Sequence, residues 1–137
     1  MAAALITLDT SGLYELLDGR SSDHHAVAEI LRADRGPFII PVPILAEIAY
    51  MVEARLGIRV MDAFLTDLET GAFSLDCGLG DLSEIRQLVL RYADLSLGFA
   101  DASVIACAER NGGRVLTLDR SDFGVVARER RLELFPR

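Results

Sequence analysis

Short apolar runs alternate with longer amphipathic segments along the whole chain, and this alternation constrains the fold more than any other feature of the sequence. The runs are too short for stable helices, so they predict buried strands. The longer segments repeat apolar residues three and four positions apart, as helices that pack on one face do. The sequence therefore predicts an α/β fold, a three-layer α/β/α sandwich around a mostly parallel sheet of four or five strands. Strands are expected at residues 3–8, 38–40, 72–75, 114–118 and, as a fifth, 132–135.

The helices are expected between these strands. A Ser-Ser-Asp cap at 21–23 opens one of them, and a Gly-Pro stop at 36–37 ends it. The others are expected at residues 13–17, 43–56, 58–70, 81–92 and 100–111. No repeat or linker interrupts the pattern, and 137 residues is a typical length for one domain. A single domain over residues 1–137 is therefore predicted.

Charge composition excludes several classes of protein. All 14 basic residues are arginine, so lysine-dependent P-loop NTPases, Schiff-base enzymes and phospho-receiver domains are excluded. The net charge of −7 argues against nucleic-acid binding over the whole surface. Residues 110–137 are nevertheless net positive, with seven arginines against four acids. This segment is therefore a candidate for local contacts with phosphate groups. The candidates, for which ordinary surface charge is the alternative, are Arg110, Arg114, Arg120, Arg128, Arg130 and Arg131.

Cysteine usage and hydropathy indicate the compartment. Cys77 and Cys107 are the only cysteines and form no CxxC pair, which is typical of reduced cytosolic thiols. No apolar run approaches the roughly 18 residues of a membrane span, and no secretion signal is present. We therefore expect a cytoplasmic protein without a membrane partner.

Two acids directly follow predicted strands. Asp9 ends the first apolar run, and Asp119 ends the fourth. Ligands of parallel sheets bind beyond the carboxyl ends of the strands, so both carboxylates are expected at the ligand-binding edge. The alternative is purely local, with Asp9 capping the next helix and Asp119 beginning a turn.

Two further acids lie on helices. Asp101 stands on the apolar stripe of its helix, because Val104 and Ile105 follow it by three and four positions. Glu47 lies at the rim of another apolar stripe, one turn from the helix start. A first-turn acid stabilised by the helix dipole is the alternative for Asp101, and a solvated side chain is the alternative for Glu47.

Convergence of these four acids on one sheet edge would be unfavourable unless a cation offsets their repulsion. Mg²⁺ and Mn²⁺ prefer carboxylate oxygens and need no His or Cys ligand. One or two such ions about 4 Å apart activate water and stabilise a leaving oxygen in phosphate chemistry. The pattern therefore predicts a carboxylate site for Mg²⁺ or Mn²⁺.

Four motifs resemble those of PIN domains, and in particular of the small VapC-type toxins of prokaryotic toxin–antitoxin pairs. Each motif alone is weak, but their order and spacing are specific, and the resemblance runs nearly end to end. The motifs are LDTSGL at 8–13, PILAEI at 43–48, LGFADA at 97–102 and LTLDRSDF at 116–123.

The resemblance implies a metal-dependent ribonuclease that hydrolyses RNA phosphodiester bonds without a covalent intermediate. Asp9, Glu47, Asp101 and Asp119 would surround one or two Mg²⁺ or Mn²⁺ ions. Asp122 is the alternative or additional fourth acid. Hydroxyls of Thr10, Ser11 and Thr117 would orient carboxylates, with helix capping and strand propensity as the alternative explanation.

The resemblance also implies partners. They are a cognate VapB-type antitoxin whose C-terminal segment occupies the acidic groove, a second copy of the chain in a homodimer, and a structured RNA of the tRNA or rRNA class. The alternative is a PIN-fold module that binds RNA or a partner without cutting. A phosphatase of the haloacid dehalogenase type is disfavoured, because Asp9 is followed by Thr10 and Ser11 rather than by a DxD motif, and lysine is absent.

Overall fold

The computed structural model describes residues 5–137 and contains a five-stranded sheet in which every neighbouring pair is parallel. The strand order β3-β2-β1-β4-β5 places β1 at the centre. The predicted α/β/α architecture is confirmed, with five strands. They are β1 (Ile6–Leu8), β2 (Phe38–Pro41), β3 (Phe73–Asp76), β4 (Arg114–Leu116) and β5 (Glu133–Phe135).

Helices fill the connections between these parallel strands. Six of them correspond to the predicted helices, with ends shifted by a few residues. The helices are α1 (Thr10–Leu17), α2 (His24–Ala33), α3 (Leu45–Arg55), α4 (Ile58–Thr70), α5 (Leu82–Arg91), α6 (Phe99–Arg110) and α7 (Arg120–Arg130). The 3₁₀ turn Val42–Ile44 leads from β2 into α3.

The helix α7 is not predicted by the sequence pattern. It buries only Phe123 and Val126, and charged residues occupy much of its remaining length. With so little apolar surface its periodicity is weak, and tertiary packing stabilises it. One such contact joins α7 to the end of α5, where the Tyr92 hydroxyl donates a 2.5 Å hydrogen bond to Glu129 of α7.

The first and fourth strands are shorter than predicted. Positions 3 and 4 of the first run lie outside the described residues, and the strand starts at Ile6. After β4, the N–H groups of Leu118 and Asp119 donate to side-chain hydroxyls instead of to a neighbouring strand. Side-chain hydroxyls that capture backbone donors in this way end a strand.

The helix α6 lies in the core, against β1 and β4 on one side and α5 on the other. Every residue from Ala102 to Ala108 is buried, so this part of the helix is enclosed around its whole circumference. Such packing fixes the helix rigidly, and its first turn carries Asp101. Within residues 5–137, no helix combines the length and apolarity needed to cross a bilayer.

Candidate active site

Asp9 is the N-cap of α1 and is 5% exposed, directly beyond the end of β1. Its Oδ1 accepts a 2.7 Å hydrogen bond from the Ser11 N–H. Its Oδ2 accepts hydrogen bonds from the hydroxyls of Ser11, at 3.1 Å, and of Thr117. Capping explains the first bond, but the two hydroxyls exceed what a helix cap requires. Asp9 is therefore both a cap and a carboxylate held in one orientation.

Ser11 and Thr117 join the segments that follow β1 and β4. Besides donating to Asp9, the Ser11 Oγ accepts a 2.9 Å bond from the Leu118 N–H. Thr117 is fully buried, and its Oγ1 accepts a 2.9 Å bond from the Asp119 N–H. The backbone that carries Asp119 is thereby fixed relative to Asp9. Thr10, by contrast, begins α1 half-buried, and in the described chain its hydroxyl bonds to none of these groups.

Gly12 lets α1 approach β4 closely enough for these bonds to form. A methyl carbon added at Gly12 would lie 2.5 Å from the carbonyl oxygen of Leu116, well inside van der Waals contact. The same carbonyl accepts the Asp9 N–H at 3.1 Å. Sequence reasoning did not single out this glycine, although it stands inside the first motif.

Asp101 is the most perturbed of the candidate acids. Burial raises its pKa to about 6, and neighbouring negative charges add to the rise. The other candidate acids therefore lie near enough to Asp101 for their charges to act on it. The charges that act on Asp101 belong to Asp9, Asp119, Asp122 and Glu47.

The remaining acids stand at helix starts around Asp101. Glu47 is exposed in the first turn of α3. Asp119 is the half-buried N-cap of α7 and accepts a 3.1 Å bond from Ser121, and Asp122 lies in the first turn of that helix. Burial is the largest cause of the raised pKa of Asp9, and the negative charge of Asp119 adds to it.

The predicted phosphate-binding arginines divide into two groups. Arg110 pairs with Asp76 and Asp81, and Arg130 pairs with Glu84 and Glu109. Arg114 pairs with Asp34 at 2.9 Å and lies over the Phe135 ring. These three side chains stabilise contacts within the fold. Arg120, Arg128 and Arg131 form the second group, because their side chains are exposed. Of these three, Arg120 stands on the first turn of α7, next to Asp119.

The donor set at this edge suits a hard divalent cation. It consists of carboxylates, and none of the ion pairs within residues 5–137 includes one of the five acids. In the part of the chain described, no three acidic, His or Cys side chains are gathered at ligand distance from a common point. Burial is the main cause of the raised pKa values of Asp9 and Asp101, and neighbouring negative charges add to both.

We expect Asp101→Asn to stabilise the fold at neutral pH when divalent cations are removed. The pKa of Asp101 rises from an ordinary 3.8 to about 6, so the folded protein binds this proton more tightly than the unfolded chain does. The stability that protonation supplies is fully present below about pH 4 and is lost as the pH rises through 6. Two pKa units correspond to roughly 3 kcal/mol, which partial exposure reduces to about 1–2 kcal/mol.

Urea unfolding in EDTA across this pH range measures the difference. The free energies of unfolding of wild type and variant should coincide below about pH 4, separate as the pH rises from 4 to 6, and differ by a constant amount above that. Asp62→Asn on the exposed side of α4 is the control and should track the wild type throughout. Parallel curves for wild type and Asp101→Asn at every pH would contradict the burial of charge at this position.

Comparison with known proteins agrees with this geometry. The PIN-domain profile matches residues 6–129. Ribonuclease VapC26 of Mycobacterium tuberculosis is 33% identical over 121 residues, which cover 87% of this chain and 90% of that protein.

Two crystal structures share the fold at 20% sequence identity. VapC20 of M. tuberculosis, described as a sarcin–ricin-loop-cleaving toxin, has a TM-score of 0.74 and covers 88% of this chain and 94% of its own. FitAcB of Neisseria gonorrhoeae has a TM-score of 0.64 and covers 96% of both chains. The chain therefore belongs to the PIN-domain family and, within it, to the VapC group.

Proposed function

We propose that this protein is an endoribonuclease that depends on Mg²⁺ or Mn²⁺ and acts as the toxin of a VapBC-type toxin–antitoxin pair. The observation that carries the proposal is the environment of Asp101, where burial and four like charges raise the pKa to about 6. A fold that gathers uncompensated carboxylates at the ligand-binding edge of a parallel sheet is suited to bind a cation there. The 33% identity to a protein named a ribonuclease supports RNA as the substrate.

Asp9, Glu47, Asp101 and Asp119 would hold the ion, with Asp119 preferred over Asp122 because its charge also acts on Asp9. The bound ion supplies charge neutralisation at the scissile phosphate and lowers the pKa of water that attacks phosphorus. Free carboxylates alone would repel the phosphate, so they act on RNA only together with a cation.

The chain's own residues contribute orientation. Ser11 and Thr117 hold both oxygens of Asp9 by hydrogen bonds, which leaves the carboxylate fixed before substrate arrives. Thr117 also fixes the Asp119 backbone, so one hydroxyl serves two acids. Such supporting hydrogen bonds tune both the orientation and the basicity of a ligand. Arg120 is placed to contact a neighbouring phosphate of the RNA, since it follows Asp119 directly and is exposed.

The partners proposed are a VapB-type antitoxin, a second copy of the chain and a structured RNA of the tRNA or rRNA class, all in the cytoplasm. Similarity to VapC26 supports the antitoxin. The groove between α3 and α4 also supports it, because apolar side chains line it and Leu65 is half exposed at its rim. Both cysteines are free thiols, which suits a reducing compartment.

Cleavage of a 5′-labelled hairpin RNA in the presence and absence of divalent cations tests the proposal. We expect cutting in Mg²⁺ or Mn²⁺ and none in EDTA, with full recovery when the cation is restored. Product mapping on gels should show internal cuts rather than shortening from one end. RNA that shifts on a native gel yet stays intact with every cation would support the non-cutting binding module instead.

A further inference from the structure

Solvent-exposed aromatic rings are rare in this protein, and one stands beside the acidic edge. Across residues 5–137, only Tyr50 and Phe99 among the aromatic side chains are exposed, by 74% and 53%. The others are buried or half-buried in contacts of the fold. Single exposed hydrophobic side chains are common on protein surfaces, so the position of each ring relative to the acidic edge decides what it can contact.

Tyr50 lies on the same helix face as Glu47. The two residues are three positions apart in α3, a spacing that makes helical side chains neighbours. Side chains on a helix lean toward its N-terminus, so the Tyr50 ring covers the turn that carries Glu47. Ala46, four positions before Tyr50, is a small residue on the same face.

Phe99, unlike Tyr50, does not share a helix face with a candidate acid. It is two positions before Asp101 in α6, which places the two side chains about 200° apart around the helix axis. Its ring borders an apolar surface of α5 formed with Leu82 and Leu90. Tyr50 is thus the exposed aromatic residue that shares a helix face with a candidate catalytic acid.

We propose that Tyr50 stacks on an unpaired base next to the scissile phosphate and so restricts the substrate to RNA with unstacked nucleotides at the cleavage point. This inference rests on the proposed ribonuclease function. Every base presents a flat face that an aromatic ring can cover, whatever its sequence. In a duplex these faces are occupied by neighbouring bases, whereas loops and bulges leave them accessible. The position also suits RNA better than an apolar peptide, because Glu47 lies one helical turn before the ring and, with a cation, its carboxylate attracts phosphate.

Steady-state cleavage of a hairpin RNA by Tyr50→Ala, Tyr50→Phe and Tyr50→Leu tests the stacking. Tyr50→Ala should raise KM about tenfold, equivalent to ~1.4 kcal/mol, while kcat stays within about twofold of the wild type. Tyr50→Phe should restore the wild-type KM, since it keeps the ring. Tyr50→Leu, which keeps apolar bulk without a ring, should resemble Tyr50→Ala. The matched control is Ile58→Ala, which removes a side chain of similar exposure, 77%, at the turn between α3 and α4 and should leave KM unchanged.

A base-deletion series gives a second, independent readout. Once the cleavage position is mapped, abasic nucleotides are placed singly on either side of it. At the stacked position the abasic change should raise the wild-type KM about tenfold and leave the KM of Tyr50→Ala unaltered. If the ring instead serves a protein partner, all variants will cut the hairpin with the wild-type KM, and the proposal fails while the ribonuclease function stands.

Measuring RNA binding distinguishes a failure of the stacking proposal from a failure of the proposed ribonuclease function. If the wild type cuts no RNA, the dissociation constant of the hairpin is measured by fluorescence anisotropy for Asp101→Asn with and without Tyr50→Ala. A roughly tenfold weaker constant in the double variant supports stacking even without cleavage. Equal constants overturn it.

Discussion

Replacing Asp101 by Asn is expected to lower kcat for RNA cleavage by about 10²- to 10³-fold. Asn keeps the size of the side chain but removes the charge that the cation must offset, and burial strengthens the interaction lost. Because the same change stabilises the metal-free fold, the loss of activity cannot be attributed to unfolding. Single-turnover cleavage at saturating Mg²⁺, with circular dichroism as a check of folding, measures it. In a Mg²⁺ titration, the variant should also need a higher concentration than the wild type to reach half of its own maximal rate, because its site binds the cation more weakly.

Matched variants on α3 separate the role of the site from that of negative charge in general. Glu47→Gln removes an exposed first-turn acid at the sheet edge and should also reduce cleavage strongly. Glu53→Gln removes an exposed acid from the same helix, nearly two turns further on, and should leave cleavage unchanged. Full activity in both Asp101→Asn and Glu47→Gln would contradict the carboxylate site. Asp119→Asn and Asp122→Asn extend the series, and we expect the larger loss from Asp119→Asn.

Gly12→Ala is expected to destabilise the protein by about 3 kcal/mol and to lower Tm by about 10 °C. The added methyl group would meet the Leu116 carbonyl at 2.5 Å, and the obstacle is backbone in β4 rather than a flexible side chain. Since β4 pairs with β1 on one side and β5 on the other, neither it nor α1 moves aside without loss of hydrogen bonds. Any displacement of α1 also separates Ser11 from Leu118, so cleavage should fall together with stability.

The control for this effect is another glycine inside a helix. Gly124 lies in α7, and a methyl group added there would meet nothing within 4 Å. Gly124→Ala should therefore stabilise the protein by about 0.5–1 kcal/mol, through the better helix propensity of alanine. Opposite signs for the two variants in thermal or urea unfolding would establish close approach as the cause. A Gly12→Ala variant as stable as the wild type would contradict it.

Local sequence was sufficient for most elements of the fold. The spacing of apolar residues predicts strands such as β2 and helices such as α3, because each of them buries one continuous face. The pattern failed for α7, whose two buried residues are too few to produce a clear period. It also overestimated β4, since hydroxyls of Ser11 and Thr117 take the N–H groups that would have continued the strand.

The sequence by itself determined the fold class and which acids follow the strands, because strand ends and helix faces depend on neighbours along the chain. Only the tertiary structure decided how those acids are supported. The contact of Thr117 with Asp9 spans 108 positions, and the approach of Gly12 to Leu116 joins elements just as distant in sequence. The same is true of Arg110 and Arg130, which the structure commits to ion pairs and thereby removes from the candidates for RNA binding. Such contacts depend on how packed elements meet in three dimensions, and neither periodicity nor motif spacing contains that information.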